Sequence, residues 1–394
     1  MKLEKINSKS LIYFENFINQ RNYSCFCDNS EVDKKYQPKH SFSGFDLPYF
    51  DLDKNKVAII TANPDKEISK LYLNDCIKFP VHPETLSVIN SKNCRCLAGK
   101  MKVYPTASTR TVLTKGNPKH FLKLHLPKRI SRYNRRLRDT SVTHSILISR
   151  DLEKTSLPDF FGFLPETIGV FQISEKWGYI IREFDPRPRV EEKRFLIPFF
   201  GLYSFDENYP NQPNMLSQLA NRSGKDPKSF LVKNILGPLI QSWAFIAKNR
   251  GIVLEMHGQN TLLEVNSDLK VCRIIYRDFQ SLPVDFEIRS DNKLENKFNK
   301  HLIGRDGFVR EQEFSLTYDY LIFHHMIVPL VQTFVKEFGL DAKFFYFCLR
   351  EILHNSFKNY KDFFPEDVSF RFKNKVFSNN ESELEEVPGQ PIWH

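Results

Sequence analysis

The spacing of apolar positions changes along this chain, and the change separates a β-type half from a helical one. Between residues 56 and 184 apolar and polar positions alternate in short runs: VAIITA from Val57, HFLKLHL from His120, SILISR from Ser145, IGVFQI from Ile168 and WGYIIREF from Trp177. Alternation over so few residues, with turn material at Pro158 and Pro165, predicts β-strands. From Phe195 the spacing becomes helical. Apolar residues at 239, 240, 243, 246 and 247 share one face of a helix from Pro238 to Lys248, and Gly251 follows where that helix should stop. Residues 311–338 and 341–358 repeat the pattern, the former interrupted near Pro329, whose ring and missing N–H break or kink a helix. An amphipathic helix opens the chain, and a shorter helical stretch covers 66–77. Within the helical half, Thr261–Val265 and Val271–Tyr276 are β-type runs joined by the turn-prone Asn266, Ser267 and Asp268, which predicts a hairpin.

These elements predict an α+β protein. The charged, proline-bearing connector DPRPRVEEKR places a boundary near residue 187. The segments are then 1–60, short and N-terminal; 61–187, β-rich; 188–379, mainly helical and carrying the hairpin; and 380–394, an acidic, polar tail expected to be loose.

Composition narrows the class. The chain has 394 residues, 41% of them hydrophobic and 36 of them Phe, which suffices for a large core and excludes a disordered chain. Its most apolar helical run, 238–247, is interrupted by Gln241 and Ser242 and is too short to cross a bilayer. The N-terminus lacks the continuous apolar stretch of a signal peptide, so a cytoplasmic protein is expected. Seven cysteines, with Cys25/Cys27 and Cys94/Cys96 in CxC rather than CxxC spacing, point to reduced thiols rather than a zinc or dithiol site. A net charge of +10 calls for an anionic partner: nucleic acid, a phosphorylated small molecule or a polycarboxylate.

Candidate chemistry sits in two blocks. At the ends of the hairpin, Glu255, His257, Gln259 and Asn260 precede the first strand, and Arg277 and Asp278 close the second. Closing the hairpin brings an amide and a carboxylate to one rim, a donor set suited to Mg2+, which takes hard oxygen ligands and leaves the remainder to phosphate and water. The earlier block starts with the hydroxyl-rich run Thr106–Thr111 and continues through Lys123 on the HFLKLHL strand. Between Lys115 and Arg138 it holds nine Lys or Arg and no acid. Arg offers a planar fork and Lys a point charge, the pieces needed to hold a triphosphate and a carboxylate.

Together these motifs resemble the NRPS-independent siderophore synthetases, the aerobactin synthetase (IucA/IucC-type) family, over roughly residues 63–375. The resemblance implies a hand-like fold, with a reduced thumb-like segment 1–60, β-rich fingers 61–187 and a helical palm 188–379. It implies ATP binding by Ser108, Arg110 and Thr111 of a Ser-x-Arg-Thr turn, by the strand Lys123 and by Gln259. The family's carboxylate-binding element falls on Ser131, Arg132 and Arg135, with His257 beside it, and its metal ligands on Asn260, Asp278 and Glu255. His257 and Arg135 then become the catalytic pair, placed to stabilise a tetrahedral oxyanion. The implied activity is adenylation of a carboxylate of citrate or a related acid by ATP with Mg2+, followed by displacement of AMP by an amine or hydroxylamine. The partners are then small molecules, not nucleic acid or membrane, and a homodimer is compatible with this reading.

Other readings compete. HGQN followed eighteen positions later by RDF also resembles the catalytic loop and metal aspartate of kinase-like phosphotransferases. Those need an Asp before the metal Asn, and here Gly258 and Gln259 stand there. A non-catalytic relative keeping the fold as a binding or partner subunit is a further possibility. A nucleic-acid face would need aromatics interleaved with the arginines of the basic run, which is not the pattern here.

Overall fold

The computed structural model describes residues 1–20, 31–41, 43–88, 97–130, 133–298, 308–372, 384–389 and 391–394. Most of the alternating runs pair into one antiparallel sheet. Its first strands are β1 (Phe45–Leu52), β2 (Val57–Thr61), β3 (Ile77–Pro80), β4 (Gly99–Pro105), β5 (Thr111–Thr114) and β6 (His120–Leu124). A small ribbon of β7 (Arg129–Ile130) and β8 (Tyr133–Asn134) follows, and β9 (Phe161–Phe163) leaves for a second sheet. The large sheet is completed by β10 (Glu166–Gln172) and β11 (Gly178–Glu183), in the spatial order β2-β10-β11-β6-β5-β4-β1-β3. One face closes over Phe79, Val112, Leu122, Leu124, Tyr179 and Ile181. The opposite face meets the second sheet through Leu113 and Phe121, which pack on Leu196, Leu262 and Ile275.

That second sheet has the order β12-β13-β14-β9, from β12 (Arg194–Pro198), β13 (Thr261–Asn266) and β14 (Val271–Tyr276), with β9 running parallel to β14. β13 and β14 form the expected hairpin. The side chain of Asn266 accepts from the backbone of Asp268 (3.1 Å) and Lys270 (3.0 Å), and Leu269 takes a left-handed φ of 66° to close the turn. The boundary near residue 187 falls in the connector, yet β9, which lies before it in sequence, belongs to the second sheet.

The helices are α1 (Ser10–Phe17), α2 (Lys66–Tyr72), α3 (Asp139–Glu153), α4 (Phe199–Tyr203), α5 (Met215–Ser223), α6 (Pro227–Leu231), α7 (Gly237–Arg250), α8 (Phe286–Asp291), α9 (Arg310–Ser315), α10 (Val328–Phe338) and α11 (Ala342–Ser356). Helix α7 stops at Gly251, whose φ is +63° and where an added Cβ would lie 2.5 Å from the carbonyl of Asp285. Pro227–Arg250 has the length and composition of a membrane span, but 67% of that apolar window is buried around Trp243 and the helices packed on it. In place of a break at Pro329, Leu316–Ile327 widens into π-helical turns that run directly into α10, whose second residue is the proline.

Four expectations change. SILISR is helical and lies in α3: Val142, Ser145, Ile146, Ser149 and Leu152 form a buried stripe that a six-residue window cannot display. Helix α3 lies so close on β10 that a Cβ added to Gly169 would meet Val142 at 2.5 Å. Residues just after Phe195 are strand before they are helix, since the apolar FLIP run enters the second sheet. Segment 1–60 is no separate piece. β1 joins the large sheet, α1 packs on β12, and the Phe14 ring fills the space above Gly201. The tail is anchored as well. β16 (Leu384–Glu386) pairs with β15 (Phe370–Phe372), and buried His394 places Nδ1 2.6 Å from the Asp319 carboxylate.

A buried ion network ties α3, α7 and α8 beneath the sheets. Asp151 accepts from Arg250 Nε (2.9 Å) and Nη2 (2.7 Å) and from Arg289 Nη1 (3.2 Å) and Nη2 (3.0 Å). Burial works to raise the pKa of Asp151, but the two guanidinium groups outweigh it and hold it below the ordinary carboxylate value. Its ionised form therefore contributes stability above about pH 4 that is lost as pH falls below that value. Asp151→Asn leaves fully buried Arg289 short of its counter-charge and should cost about 3 kcal/mol at neutral pH in chemical denaturation. The gap between parent and variant should narrow below about pH 4. A gap independent of pH would show that the charge of Asp151 contributes nothing.

Candidate active site

The site is assembled where the two sheets meet. Thr111 on β5 pairs with Lys123 on β6, Lys123 pairs with Ile180 on β11, and Arg182 lies two residues further on the same face, opposite Glu166 of β10. Lys123 is 1% exposed, and a lysine so placed needs a counter-charge. It has one in Asp278, whose Oδ1 accepts from the Lys123 ammonium. Arg182 stands behind this pair, with Nη2 3.9 Å from Asp278 Oδ2 and Nε donating to Glu166 at 3.1 Å.

Asp278 is delivered by the hairpin. After the last rung, Thr261 opposite Tyr276, the Arg277 N–H donates to the Asn260 carbonyl at 2.9 Å, and the chain then leaves the ladder. Asp278 takes a φ of +85°, a left-handed conformation that costs a non-glycine residue about 1–3 kcal/mol. The Tyr276 hydroxyl, donating to the Asp278 carbonyl at 2.8 Å, helps to hold it.

The hydroxyl-rich turn between β4 and β5 closes on itself: the Thr111 N–H donates to Ser108 Oγ (3.1 Å), and the Thr106 hydroxyl to the Thr111 carbonyl (2.8 Å). Thr109 has a φ of +62°, which turns Arg110 inward. Arg110 then donates to the Arg135 carbonyl (3.1 Å) and to Gln280 Oε1 (2.7 Å), so it spans from the basic block to the loop after Asp278. Of the first strand's leader, His257 accepts on Nδ1 from the Gln259 N–H at 3.3 Å, and the Gln259 carbonyl accepts from Arg277 Nε at 2.9 Å. Asn260 Nδ2 donates to the Glu255 carbonyl at 3.4 Å. His257, Gln259 and Asn260 are buried rather than displayed on an open rim.

Electrostatics follow from this packing. Burial pushes Lys123 down to about 8, with Asp278 pulling the other way. Burial and neighbouring Arg135 lower Arg110 to about 9. Asp278 is held far below the carboxylate range because Lys123, Arg182 and Arg110 overcome its desolvation. Burial lowers His257 to about 3, so its ring is neutral at physiological pH. With Nδ1 accepting, the ring proton is assigned to Nε2, which makes His257 a neutral donor. The site carries more buried positive than negative charge, and it suits an anion.

The structure thus brings together Arg110, Thr111, Lys123, Asp278 and the backbone of Arg135, with the Glu255–Asn260 leader adjoining. Ser131 and Arg132 lie outside the described residues, as do both CxC pairs; Cys76, Cys272 and Cys348 are free thiols. The basic run is not one solvated face, since Lys123 is buried while Lys128 pairs with Glu84 and Arg129 with Glu31. Among the described residues no group of three or more His, Cys, Asp or Glu could hold a metal by itself. Asn260 and Asp278 fit Mg2+ only as a pair of oxygen donors completed by phosphate, with the Asp278 carboxylate released from Lys123. Arg182, Glu166, Gln280 and Glu15 were not foreseen. Arg182 and Glu166 had a signal, each being a charge within a strand of otherwise buried residues. Glu15 and Gln280 had none.

This architecture is that of the siderophore synthetases. The petrobactin biosynthesis protein AsbB from Bacillus anthracis superposes with a TM-score of 0.67 at 18% identity, over 96% of this chain and 76% of that one. ATP-bound aerobactin synthetase IucA from Klebsiella pneumoniae gives 0.66 at 14% identity, over 92% and 74%. Aerobactin synthetase IucC from the same organism gives 0.63 at 17%, over 91% and 71%. In sequence, the chain is 25% identical over 263 residues to the L-2,3-diaminopropanoate–citrate ligase of Staphylococcus aureus, which covers 58% of this chain. The chain spans 43% of that relative's length. Residues 232–377 match the family model described as ferric iron reductase FhuF-like transporter. The fold is thus shared with these solved proteins, and part of the sequence with the citrate ligase.

The Lys123–Asp278 pair has a direct test. Carbon-detected NMR of Lys123 should show its ammonium titrating near 8, and Asp278→Asn should move that midpoint lower, because the carboxylate that favours the charged form is gone. A midpoint that stays put or rises would contradict the pairing.

Proposed function

We propose that this protein is an ATP-dependent acid–amine ligase of siderophore biosynthesis, which adenylates a carboxylate of citrate or a related acid and transfers the acyl group to an amine or hydroxylamine. The observation that carries this reading is the convergence of Arg110, Lys123 and Arg182, all carried by the large sheet, around Asp278 at the end of the second sheet's hairpin. Three buried cations share that one carboxylate, and Glu166 offsets Arg182 from behind. Polyphosphate supplies the missing negative charge.

In the first step a carboxylate oxygen attacks the α-phosphorus and pyrophosphate leaves. Two anions must be held in line, and Arg110 and Lys123 serve the nucleotide while Arg135, with Ser131, serves the carboxylate. Ser108 and Thr111 close the nucleotide turn, and Gln259 is fixed beside it by Arg277. Asn260 and Asp278, with Glu255 near, would hold Mg2+, which would supply positive charge against the phosphates. In the second step the amine attacks the acyl carbonyl, a tetrahedral oxyanion forms, and AMP leaves. Neutral His257, donating from Nε2, and Arg135 stabilise that oxygen. The reaction is placed in the cytoplasm.

Purified protein given ATP, Mg2+ and citrate should release AMP and pyrophosphate once a diamine or hydroxylamine acceptor is added. Chromatography of the nucleotide decides the class. ADP in place of AMP would indicate a phosphotransferase, and nucleotide binding without turnover across a broad acid and amine panel would indicate a non-catalytic relative.

The two anion sites should also separate kinetically. Arg135→Lys keeps the charge but removes the planar fork, so the apparent KM for the carboxylate should rise by about 1.5–3 kcal/mol in free-energy terms while that for ATP changes little. Lys123→Ala should do the reverse. If instead both variants bind a heparin column more weakly with both KM values unchanged, the basic block is a polyanion face and the assignment fails.

A further inference from the structure

None of the residues proposed to touch nucleotide, carboxylate or metal precedes Ser108, yet a side chain from the first helix holds two halves of the site together. Glu15 on α1 is fully buried, and its carboxylate oxygens go to different sheets. Oε2 accepts from the Ala107 N–H at 2.8 Å, at the start of the turn that carries Ser108, Arg110 and Thr111. Oε1 accepts from Arg277 Nη2 at 2.6 Å. Arg277 passes the link on, its Nε donating to the Gln259 carbonyl (2.9 Å) and its N–H to the Asn260 carbonyl (2.9 Å). Helix α1 is itself fixed, by Phe14 against Gly201 and by the Tyr13 hydroxyl donating to Asp206 at 2.9 Å. A carboxylate with both oxygens engaged in a dry interior cannot turn away without stranding a buried guanidinium.

We propose that Glu15 is a positioning residue that fixes the register between the nucleotide turn and the hairpin, and so the placement of Arg110 relative to Asp278. It is enclosed by protein and acts through Ala107 and Arg277. The inference deepens the ligase reading and rests on it for its catalytic consequence, while the mechanical link stands on geometry alone.

The test uses the full chain with Glu15→Gln, an isosteric change that keeps one acceptor but loses the charge facing Arg277, and Glu15→Asp, which keeps the charge on a shorter arm. Hydrogen–deuterium exchange should quicken in both 105–111 and 257–261 in Glu15→Gln, with other segments unchanged. At a temperature where every variant is fully folded, kcat should fall about 10- to 100-fold and the KM for ATP should rise more than that for the carboxylate, with Glu15→Asp intermediate. Parent-like exchange in either segment overturns the proposal, as does quickened exchange with parent-like kinetics in an active enzyme. Quickened exchange in both segments of a protein that turns over no nucleotide would uphold the brace and overturn the ligase reading instead.

Discussion

Lys123 and Asp278 are separated by 155 residues and come from different sheets, yet each is in place only because the other is. A lysine in the middle of a buried sheet would lose its proton or unfold its strand, and an aspartate in a left-handed backbone conformation has no reason of its own to stay there. Their contact answers both problems. It also fixes how the two sheets meet, since β6 presents the ammonium from the large sheet and the end of β14 presents the carboxylate from the small one. Apolar packing of Leu113 and Phe121 on Leu196, Leu262 and Ile275 supplies attraction between the sheets, but such packing tolerates sliding. A buried ion pair does not.

An ion pair alone would leave the junction electrically balanced. Arg110 and Arg182 tip it. Burial works against the charge of Arg182, but the carboxylates of Glu166 and Asp278 outweigh it and keep that guanidinium charged. Among the described residues Arg110 hydrogen-bonds to neutral acceptors, the Arg135 carbonyl and Gln280, and the carboxylate that acts on it through space, Asp278, is shared with Lys123 and Arg182, so its charge is solvated but not fully cancelled. The folded protein thus maintains an electrostatic cost at this point that a bound polyanion would remove, and removal of a ground-state cost of this kind would convert charge into binding and orientation.

The sequence disclosed the local parts of this arrangement and withheld the long-range ones. The hairpin, the stop at Gly251 and the strand position of Lys123 were legible because each depends on a few neighbouring residues, through turn chemistry, backbone freedom and alternation. The helix through SILISR was not, because its buried stripe extends from Val142 to Leu152 and a six-residue window samples only its centre. The π-helical stretch before Pro329 was hidden for a related reason, since the apolar spacing that suggests a helix does not reveal how tightly it is wound. Glu15 lay beyond reach altogether. It is one acid in an ordinary amphipathic helix, and its meaning exists only in the contact with Arg277, 262 residues away.

That difference bears on how the fold carries its chemistry. At 14–18% identity the solved siderophore synthetases share with this chain an architecture, and the argument for chemistry has to come from its own side chains. Those side chains form a hierarchy. Arg110, Lys123 and Asp278 converge where the sheets meet; Arg182 and Gln280 support them, while Arg277 fixes the Gln259 and Asn260 carbonyls beside them; Glu166 and Glu15 in turn hold Arg182 and Arg277. Each outward layer is less exposed to ligand and more dependent on contacts distant in sequence. Segment 1–60 belongs to the outermost layer, because the carboxylate it contributes joins Ala107 of the hydroxyl-rich turn to Arg277 of the hairpin, beside the Arg110–Gln280 bond that links the same two regions. The site is therefore a property of the whole junction rather than of either sheet.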